Sequence, residues 1–552
     1  MPPYEELTSA LQSAVAQAPH LAKMWSLVKS EGGRDVWCVE VAANKELLPP
    51  AQRPALLVTG NMHAAEITGS MIGLYLLEYL TQKYPADARV ADVLEQMVIY
   101  IVPRLAVDGA ELVITKSAPG SVARSKPLFI KQKNVPFPED LDGDGLILTM
   151  RWPDEKYGTM RLSGKDSRLL VPKDTPGATG PCYATCPEGL IHDWDGGRVE
   201  NSRTVNDFNR NFPANWRPAV GCLGAGPYPL SEPETRALAD FVLAHSNLVG
   251  VIDFHTGNPA IFYPSAAIKE ICKYPEDSRL IEKIGRIGER LTGFPLLSGY
   301  QEAITGEKTE RLPGCFRDWV YEHIGLPGFI VETGLCYNYF GIATGQKFES
   351  PAIKEETIGL VLLQCHDSYP EYGLFHDWRP FDHPQLGRVE IGGWHRAIWS
   401  CAPLFATGEI CSRCVDFVME CAAYRPEIEV TAEVQALAPV PASAPTSTRT
   451  SAPASAPASA LYKITVTLHN SGPVSTSITR QGAAMYPHAL PVIKLQGADE
   501  MIIGRAWQKI AHLNPGETHT LEWVVRAEAA ALKLELSAER GGIYKQVVIP
   551  LR

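Results

Sequence analysis

Short apolar runs alternate with amphipathic stretches along the first part of this chain. Residues 36–41, 54–59 and 98–102 have the continuous apolar character of buried strands. Residues 3–25 carry apolar positions at helical spacing, and residues 66–80 form a largely apolar helical stretch, so both are predicted to be helices. Strands that alternate with helices are typical of an α/β fold.

The pattern changes near the C-terminus. Residues 428–434 and 462–468 alternate apolar with polar positions, as half-buried strands do, and similar short strands follow at 521–525, 532–536 and 547–549. We predict a small all-β sandwich over residues 427–552. Residues 438–460 consist almost entirely of Ala, Pro, Ser and Thr, with Arg449 as the one charge, so we expect a disordered insertion within that domain. Residues 1–380 are then predicted to form a first, larger domain, and 381–426 a connecting segment.

Bulk composition narrows the class of protein. The chain has 552 residues, 45% hydrophobic and 20% charged, which is ordinary for a globular protein. A net charge of −11 argues against a nucleic-acid-binding surface. We see neither a signal peptide nor an apolar stretch of membrane-spanning length, and therefore predict a cytoplasmic protein that does not bind membranes. The sequence does not predict an oligomeric state.

Two cysteine pairs are close in sequence among the twelve cysteines, Cys182/Cys186 and Cys411/Cys414. The second pair is Cys-x-x-Cys, which occurs in zinc knuckles and redox pairs. No second Cys-x-x-Cys follows at zinc-ribbon spacing, so we favour buried thiols.

Residues 116–228 are rich in Gly, Pro and Asp and show few periodic segments. Within them, Asp140, Asp142 and Asp144 have the spacing of the first half of a calcium loop. The twelfth position is Arg151, where an EF-hand needs a glutamate. A loop held by Asx turns explains the pattern as well, so calcium is left open and is not predicted.

Polar side chains of metal-binding type follow several apolar runs. His63 comes after the run that ends at residue 59, with Glu66 three residues on, while His255 and Glu332 end two later runs. The His-x-x-Glu spacing alone fits an acidic helix N-terminus equally well. In open α/β sheets, however, ligands bind beyond the carboxyl ends of strands, and Zn²⁺ accepts imidazole and carboxylate ligands. We therefore expect one site that combines these strand ends.

Five segments together resemble the M14 (carboxypeptidase A-like) zinc metallocarboxypeptidases over roughly residues 5–380. They are His63-x-x-Glu66, Pro103-Arg104-x-x-x-Asp108-Gly109, Asp207-x-Asn209-Arg210-Asn211-Phe212, Asp253-Phe254-His255-Thr256, and Asp318-Trp319 followed by Glu332. The resemblance implies a mixed central sheet flanked by helices. It also implies a peptide substrate with a free C-terminal carboxylate.

The resemblance assigns the metal chemistry to specific residues. It implies one zinc ion held by His63, Glu66 and His255, with a fourth position left for water. Glu332 would be the general base, and Asp207 would accept a hydrogen bond from His63 and orient it.

The resemblance also implies substrate contacts. Asn209 and Arg210 would bind the terminal carboxylate, the alternative for Arg210 being a structural salt bridge. Arg151 would stabilise the oxyanion, with Arg161 or Arg203 as substitutes. Tyr300 resembles the mobile tyrosine that closes over the bound terminus, although a core or lid tyrosine without a direct role is an alternative.

Two positions depart from the family pattern. Ala65 stands where many members have an arginine, which removes one carboxylate contact. Arg317 occupies the position at the floor of the specificity pocket, and a desolvated arginine there predicts a preference for acidic C-terminal residues. Alternatively, Phe316 and Cys315 shape an apolar pocket while Arg317 turns outward.

The leading hypothesis is a zinc exopeptidase that removes C-terminal residues. An amidase acting on murein peptides, or an N-acyl amino acid deacylase, could use the same scaffold. A non-catalytic zinc protein that binds peptide or glycan through the β domain is the rival of a different class. Such a protein would be expected to lack a metal ligand or the base, yet all four residues are present.

Overall fold

The computed structural model describes residues 2–119, 124–128, 130–202, 205–218, 224–264, 274–298, 312–343, 346–396, 401–437 and 460–551. The helices are α1 Tyr4–Gln17, α2 Thr68–Lys83, α3 Ala88–Gln96, α4 Val107–Lys116, α5 Pro233–Ala244, α6 Pro275–Thr292, α7 Phe316–Trp319, α8 Pro351–Ser368, α9 Leu404–Ala422 and α10 Arg480–Met485. The strands are β1 Ala22–Lys29, β2 Asp35–Val41, β3 Ala55–Gly60, β4 Val98–Val102, β5 Pro136–Pro138, β6 Thr149–Pro153, β7 Met160–Leu162, β8 Leu170–Pro172, β9 Thr179–Pro187, β10 Gly189–Ile191, β11 Leu248–His255, β12 Ala260–Tyr263, β13 Leu296–Ser298, β14 Gly328–Glu332, β15 Phe375–His383, β16 Gly387–Trp394, β17 Ile428–Leu437, β18 Ala460–Asn470, β19 Val492–Gln496, β20 Glu500–Ile503, β21 Trp507–Lys509, β22 Thr518–Ala527, β23 Ala531–Ala538 and β24 Ile543–Pro550.

A mixed eight-stranded sheet forms the centre of the first domain, in the order β1-β2-β4-β3-β11-β14-β12-β13. Strands β4, β3, β11 and β14 run parallel to one another, so their carboxyl ends lie at the same edge. Every residue of β3, β4 and β11 is buried, which explains their continuous apolar sequences. The predicted α/β class with a mixed central sheet is confirmed.

The first predicted helix is too long. Helix α1 ends at Gln17, and β1 begins at Ala22 within the segment predicted to be helical. Ala18 precedes Pro19 and adopts φ −134° and ψ 57°, since a residue before proline is disfavoured in the helical region.

A second sheet, which the sequence pattern did not predict, has six antiparallel strands in the order β15-β16-β6-β9-β7-β8. Four of its strands come from the Gly- and Pro-rich region, and two from residues 375–394. One face packs around Met150, Trp152 and Ile391. Strands of three to nine residues interrupted by Gly and Pro give too few repeats for periodicity to reveal them.

The C-terminal region is a β-sandwich, as predicted. Two four-stranded antiparallel sheets have the orders β17-β18-β22-β20 and β21-β19-β23-β24, and the fully buried Trp523 lies in the core between them. Residues 438–459 of the predicted insertion lie outside the described residues.

Residues 381–426, expected to be a connecting segment, contain β16 and the long helix α9. Helix α9 packs against α2 and α6, and its Cys411 and Cys414 are buried thiols within the main core. This placement matches the interpretation of the Cys-x-x-Cys as ordinary buried cysteines. The domain boundaries themselves stay a prediction.

The sandwich docks onto the first domain through Asp277, at the start of α6. Its carboxylate accepts hydrogen bonds from the backbone N–H groups of Arg480 (2.7 Å) and Gln481 (2.9 Å), and from the hydroxyl of Tyr321 (2.9 Å). Arg540 also donates to the carbonyl of Ile324 at 2.8 Å. Both Tyr321 and Ile324 lie in the π-helical turn Val320–Ile324, which follows α7.

None of the helices in the described ranges is long and apolar enough to cross a lipid bilayer.

Candidate metal centre

Three side chains of metal-binding type converge at the edge where β3 and β11 end. His63 follows β3 in a loop that begins at Asn61, whose φ of 53° turns the chain and whose Nδ2 donates to the His63 carbonyl at 2.6 Å. Helix α2 begins at Thr68, two residues later than predicted. Glu66 therefore lies in the loop before the helix, whereas the sequence predicted it to be in the first helical turn. His255 is the last residue of β11.

Glu66 lies between the two imidazoles. Its Oε1 is 2.8 Å from His63 Nδ1, and its Oε2 is 3.0 Å from His255 Nδ1. The backbone N–H of Thr256 donates to Oε2 at 3.0 Å and fixes the carboxylate. One ligand atom from each of the three residues lies within 4.8 Å of the others. The structure therefore brings the three predicted metal ligands together.

Each imidazole is held from behind by a carboxylate. His63 Nε2 is 3.0 Å from Oδ1 of Asp207, the residue expected to orient it, and His255 Nε2 is 2.8 Å from Asp253 Oδ2. Asp253 in turn accepts a hydrogen bond from Thr59 Oγ1 at 2.7 Å. These carboxylates leave both Nδ1 atoms facing the same point, which is the arrangement that histidine ligands of metals commonly need.

The residues present fit a zinc ion. Two imidazole nitrogens and one carboxylate are ligands of catalytic zinc, and three protein ligands leave a position open for water. The side chains of all three residues are mostly buried, so bulk water would hydrate a cation between them only poorly. The negative charges of Glu66, Asp207 and Asp253 would compensate it.

The electrostatic environment favours the ionised forms of Glu66 and Asp207. Burial opposes ionisation of Glu66, but the adjacent His63 and the hydrogen bond from His255 outweigh it and hold the pKa of Glu66 below its usual range. Burial also opposes ionisation of Asp207, yet His63, Arg210 and Arg124 together hold its pKa well below normal.

Glu332 lies directly beside His255, one of the candidate metal ligands. It ends β14, where it pairs in register with His255 of the neighbouring parallel strand. A Cβ atom on Gly257 would lie 2.8 Å from Glu332 Oε2, so the carboxylate packs against a position that only glycine leaves open. This register places the predicted base at the same edge of the central sheet as the three candidate metal ligands.

Asn209 and Arg210 occupy a short 3₁₀ turn, Phe208–Arg210, directly after Asp207. The Asn209 N–H donates to Asp207 at 2.9 Å, and Asn209 Oδ1 accepts from the Phe316 N–H at 2.9 Å. The Arg210 guanidinium donates to the Asn209 carbonyl at 2.7 Å. Within the described chain Arg210 forms no salt bridge closer than 4.0 Å, although it contributes to the low pKa of Asp207.

Arg317 is fully buried at the start of α7, so it does not turn outward to solvent. Its Nε is 3.2 Å from Asp318 Oδ1. The preceding residue, Phe316, is hydrogen-bonded to Asn209, which links the Arg317 segment to the predicted carboxylate clamp.

Arg151 lies elsewhere, in strand β6 of the six-stranded sheet. Its Nε donates to Glu390 at 2.8 Å, and its guanidinium stacks 4.0 Å from the ring centroid of Trp378. None of these contacts involves His63, Glu66 or His255. The substitute Arg161 contacts Cys182 in the same sheet, while Arg203 and Tyr300 lie outside the described residues.

Arg124, which was not among the predicted site residues, lies beside Asp207 instead. Its Nε donates to Asp207 Oδ2 at 2.8 Å, and its carbonyl accepts from the Ala64 N–H at 2.5 Å. Attraction to Asp207 is the largest effect on the pKa of Arg124 and raises it. Burial opposes this effect in part, while Glu66 and Glu332 add to it. The side chain is still 41% exposed, so its outer nitrogens can reach a ligand. No sequence motif marks Arg124, because the residues that precede it show neither periodicity nor a recognisable spacing.

The aspartate-rich loop is held by its own backbone. Asp140 accepts from the N–H groups of Gly143 (2.8 Å) and Gly145 (2.9 Å), and Asp142 accepts from that of Asp144 (3.1 Å). Asp140 and Asp142 also lie near the buried Glu188, whose oxygens accept from backbone N–H groups of the same loop. These Asx turns explain the pattern, and we assign no calcium.

Comparison with known proteins agrees with this geometry. A family model described as zinc carboxypeptidase (peptidase M14) matches residues 7–136 and 190–355, which is more than half of the chain. A second model, of a domain of unknown function (DUF8731), matches residues 450–549. The interval between the two matched zinc carboxypeptidase ranges contains β6 to β9 of the six-stranded sheet.

Individual relatives are distant. Carboxypeptidase D of Drosophila melanogaster is 26% identical over 160 residues, 29% of this chain and 10% of that protein. Human carboxypeptidase D is 28% identical over 108 residues, 20% of this chain and 8% of that protein. The chain thus spans only about a tenth of the length of these relatives. Thrombin activatable fibrinolysis inhibitor shows a TM-score of 0.43 at 16% identity, covering 76% of this chain and 73% of that one. The chain belongs to the zinc carboxypeptidase (peptidase M14) family.

Proposed function

We propose that this protein is a zinc-dependent carboxypeptidase that hydrolyses the C-terminal peptide bond of peptides. The observation that carries the proposal is the convergence of His63, Glu66 and His255, with Glu332 in register beside His255. His63, Glu66 and His255 would hold the zinc ion. When bound, zinc lowers the pKa of a water molecule and polarises the scissile carbonyl.

Glu332 is the proposed general base. Its carboxylate would take a proton from the attacking water and deliver it to the departing amine. The position suits this role because Glu332 lies next to a metal ligand without being one of the three converging groups. Its packing against Gly257 restricts where the carboxylate can point.

Asn209 and Arg210 are proposed to bind the terminal carboxylate of the substrate. Asn209 uses its Oδ1 to accept from Phe316, which leaves its amide nitrogen to donate to a ligand. A guanidinium offers two parallel donors that match the two carboxylate oxygens. Since Arg210 lacks a close carboxylate partner within the described residues, a free C-terminus would supply one.

We assign stabilisation of the oxyanion to Arg124, in place of Arg151. The guanidinium of Arg124 contacts Asp207 and is attracted by the charges of Glu66 and Glu332, whereas that of Arg151 is engaged by Glu390 and Trp378. A fixed positive charge where negative charge develops lowers the barrier without reorganisation.

Arg317 is proposed to set a preference for acidic C-terminal side chains. Its guanidinium is buried, and its segment is linked to the carboxylate clamp through Phe316. Asp318 neutralises part of its charge, so the expected preference is modest. Comparing peptides that end in Glu, Phe and Lys tests this assignment, and better cleavage of the Phe peptide would remove it.

The experiment that tests the function compares peptides with free and with amidated C-termini. We expect single residues to be released from the free peptides only, and expect Glu332→Gln to keep its zinc while losing at least about a hundredfold in kcat. Arg210→Gln should raise KM for free peptides, because the charged partner is lost. Equal cleavage of amidated peptides, or release of an acyl or murein fragment only, would favour the amidase or deacylase alternative. Full activity of Glu332→Gln would contradict the mechanism.

A further inference from the structure

A cavity of about 290 Å³ lies beside the six-stranded sheet, away from the three metal ligands. Thr149 of β6, Thr185 of β9, Asn201 and Ser202 line it together with Arg396, which follows β16. No acidic residue of the described chain is among its lining residues. Hydroxyl, amide and guanidinium groups therefore share the wall with proline, valine and cysteine side chains, and no lining residue of the described chain carries a negative charge.

Arg396 is the unusual member of this set. Its Nε is buried without a hydrogen-bond partner, and its Nη2 makes only a long contact of 3.4 Å with Thr149 Oγ1. Burial lowers the pKa of the Arg396 guanidinium, and no acidic neighbour in the described chain offsets that effect. An arginine nevertheless stays protonated at physiological pH, so this positive charge is largely uncompensated.

Two arginines buried elsewhere in the described chain have such partners. The fully buried Arg53 donates to the backbone carbonyls of Ala43, Asn44 and Leu48. Arg151 pairs with Glu390. The guanidinium of Arg396 has neither kind of partner among the described residues, which is the situation expected of a group that awaits an anionic ligand.

Two chain segments connect the cavity with the metal centre. Pro119 lines the cavity and precedes Arg124 by five residues, and Ser202 precedes Asp207 by five residues. Five residues span at most about 18 Å, so the cavity wall lies within that distance of the Arg124–Asp207 ion pair. An extended peptide covers the same distance in about five residues.

We propose that this cavity binds a carboxylate or phosphate group carried by the peptide substrate within about five residues before the scissile bond, with Arg396 as its main anchor. The assignment of the anion to a peptide substrate rests on the proposed carboxypeptidase function, whereas the anion site itself does not. A guanidinium binds such groups through two parallel N–H donors, and Thr149 and Thr185 can add hydroxyl donors. The cavity is built partly by strands in the interval that the zinc carboxypeptidase model does not match.

The test uses the zinc-loaded full-length protein and peptides that differ only by Glu or Gln at one of the second to sixth positions from the C-terminus. We expect glutamate at one position to raise kcat/KM by about tenfold in the wild type. Arg396→Gln should abolish the increase, and Arg396→Lys should keep part of it. The matched control is Arg388→Gln, which removes an exposed arginine from the same β16 strand and should leave the increase intact.

A second arm measures binding of inorganic phosphate by calorimetry and needs no peptide cleavage. Binding by the wild type and by Arg388→Gln, lost in Arg396→Gln, would support the anion site even if no peptide were hydrolysed. Phosphate binding without any glutamate effect on cleaved peptides would overturn the assignment to the substrate and point to a free anion. Neither phosphate binding nor a glutamate effect would overturn the inference while leaving the peptidase function intact.

Discussion

The imidazole of His255 is held by Asp253, two residues earlier in the same strand, with 2.8 Å between Nε2 and Oδ2. Alternate residues of a strand point to the same face, so this pair forms without any loop. Thr59, in register with Asp253 on β3, donates to the other carboxylate oxygen. The central sheet itself thus orients one of the proposed metal ligands.

Replacing Asp253 should weaken metal binding. We expect Asp253→Asn to lower zinc affinity by about 10- to 100-fold, since the imidazole loses the carboxylate that fixes its orientation and raises its basicity. A chelator competition titration measures the change. Thr59→Val, which removes only the hydrogen bond to Asp253, should have a smaller effect. Equal zinc affinity of Asp253→Asn and the wild type would refute this role.

Gly257 controls the position of the proposed base. In Gly257→Ala the new Cβ would lie 2.8 Å from Glu332 Oε2, so the carboxylate must move. We expect kcat to fall by about 10- to 100-fold with zinc content unchanged, because small misplacements of a catalytic group are costly. The matched control is Gly408→Ala in α9, where nothing lies within 4 Å of the added atom and a gain of about 0.5–1 kcal/mol in stability is expected. Unchanged kcat in Gly257→Ala would show that Glu332 tolerates displacement.

Asp277 should be a main link between the two domains. Asp277→Ala would leave two backbone N–H groups and the Tyr321 hydroxyl without their acceptor, and we expect a loss of about 2–4 kcal/mol in the free energy of unfolding. Chemical denaturation measures this loss. Glu276→Ala, at the exposed neighbouring position, is the control and should change stability by less than about 0.5 kcal/mol. Similar values for both variants would mean that the docking does not depend on Asp277.

Glu188 should make stability depend on pH. Burial, opposed in part by three backbone N–H donors, raises the pKa of Glu188 from 4.5 to about 7. The folded state therefore holds the proton more tightly than the unfolded state. Its stabilising contribution is complete below about pH 4.5 and is lost as the pH rises through about 7.

Glu188→Gln should accordingly flatten the stability profile between pH 4.5 and 8, by up to about 3 kcal/mol. Denaturant unfolding across this pH range is the measurement. The exposed Glu429→Gln serves as the control and should follow the wild-type profile. A profile of Glu188→Gln that parallels the wild type would contradict the assignment.

Much of the candidate metal centre was predictable because its polar side chains lie at the ends of apolar strands. His255 and Glu332 each end a continuous apolar run, and His63 follows another. Strand ends are visible in a sequence, and parallel neighbours bring them to one edge. The order of the motifs along the chain then indicated Asp207, Asn209 and Arg210. In the structure, Asp207 is within hydrogen-bond distance of the His63 imidazole.

What could not be predicted depends on long-range placement. Arg124 reaches Asp207 across 83 residues from a loop without a motif, while Arg151 resembled the family arginine yet belongs to another sheet. Asp253 is inside a buried strand, where its role depends on register with Thr59. The six-stranded sheet joins β6 to β16 across more than 200 residues, which no local pattern records.

The most direct test is X-ray diffraction from crystals of the zinc-loaded protein, recorded on both sides of the zinc absorption edge. We predict one strong anomalous peak within about 2.0–2.2 Å of His63 Nδ1, His255 Nδ1 and a Glu66 oxygen. A peak only at Asp140, Asp142 and Glu188, or none at the two histidines, would contradict the account.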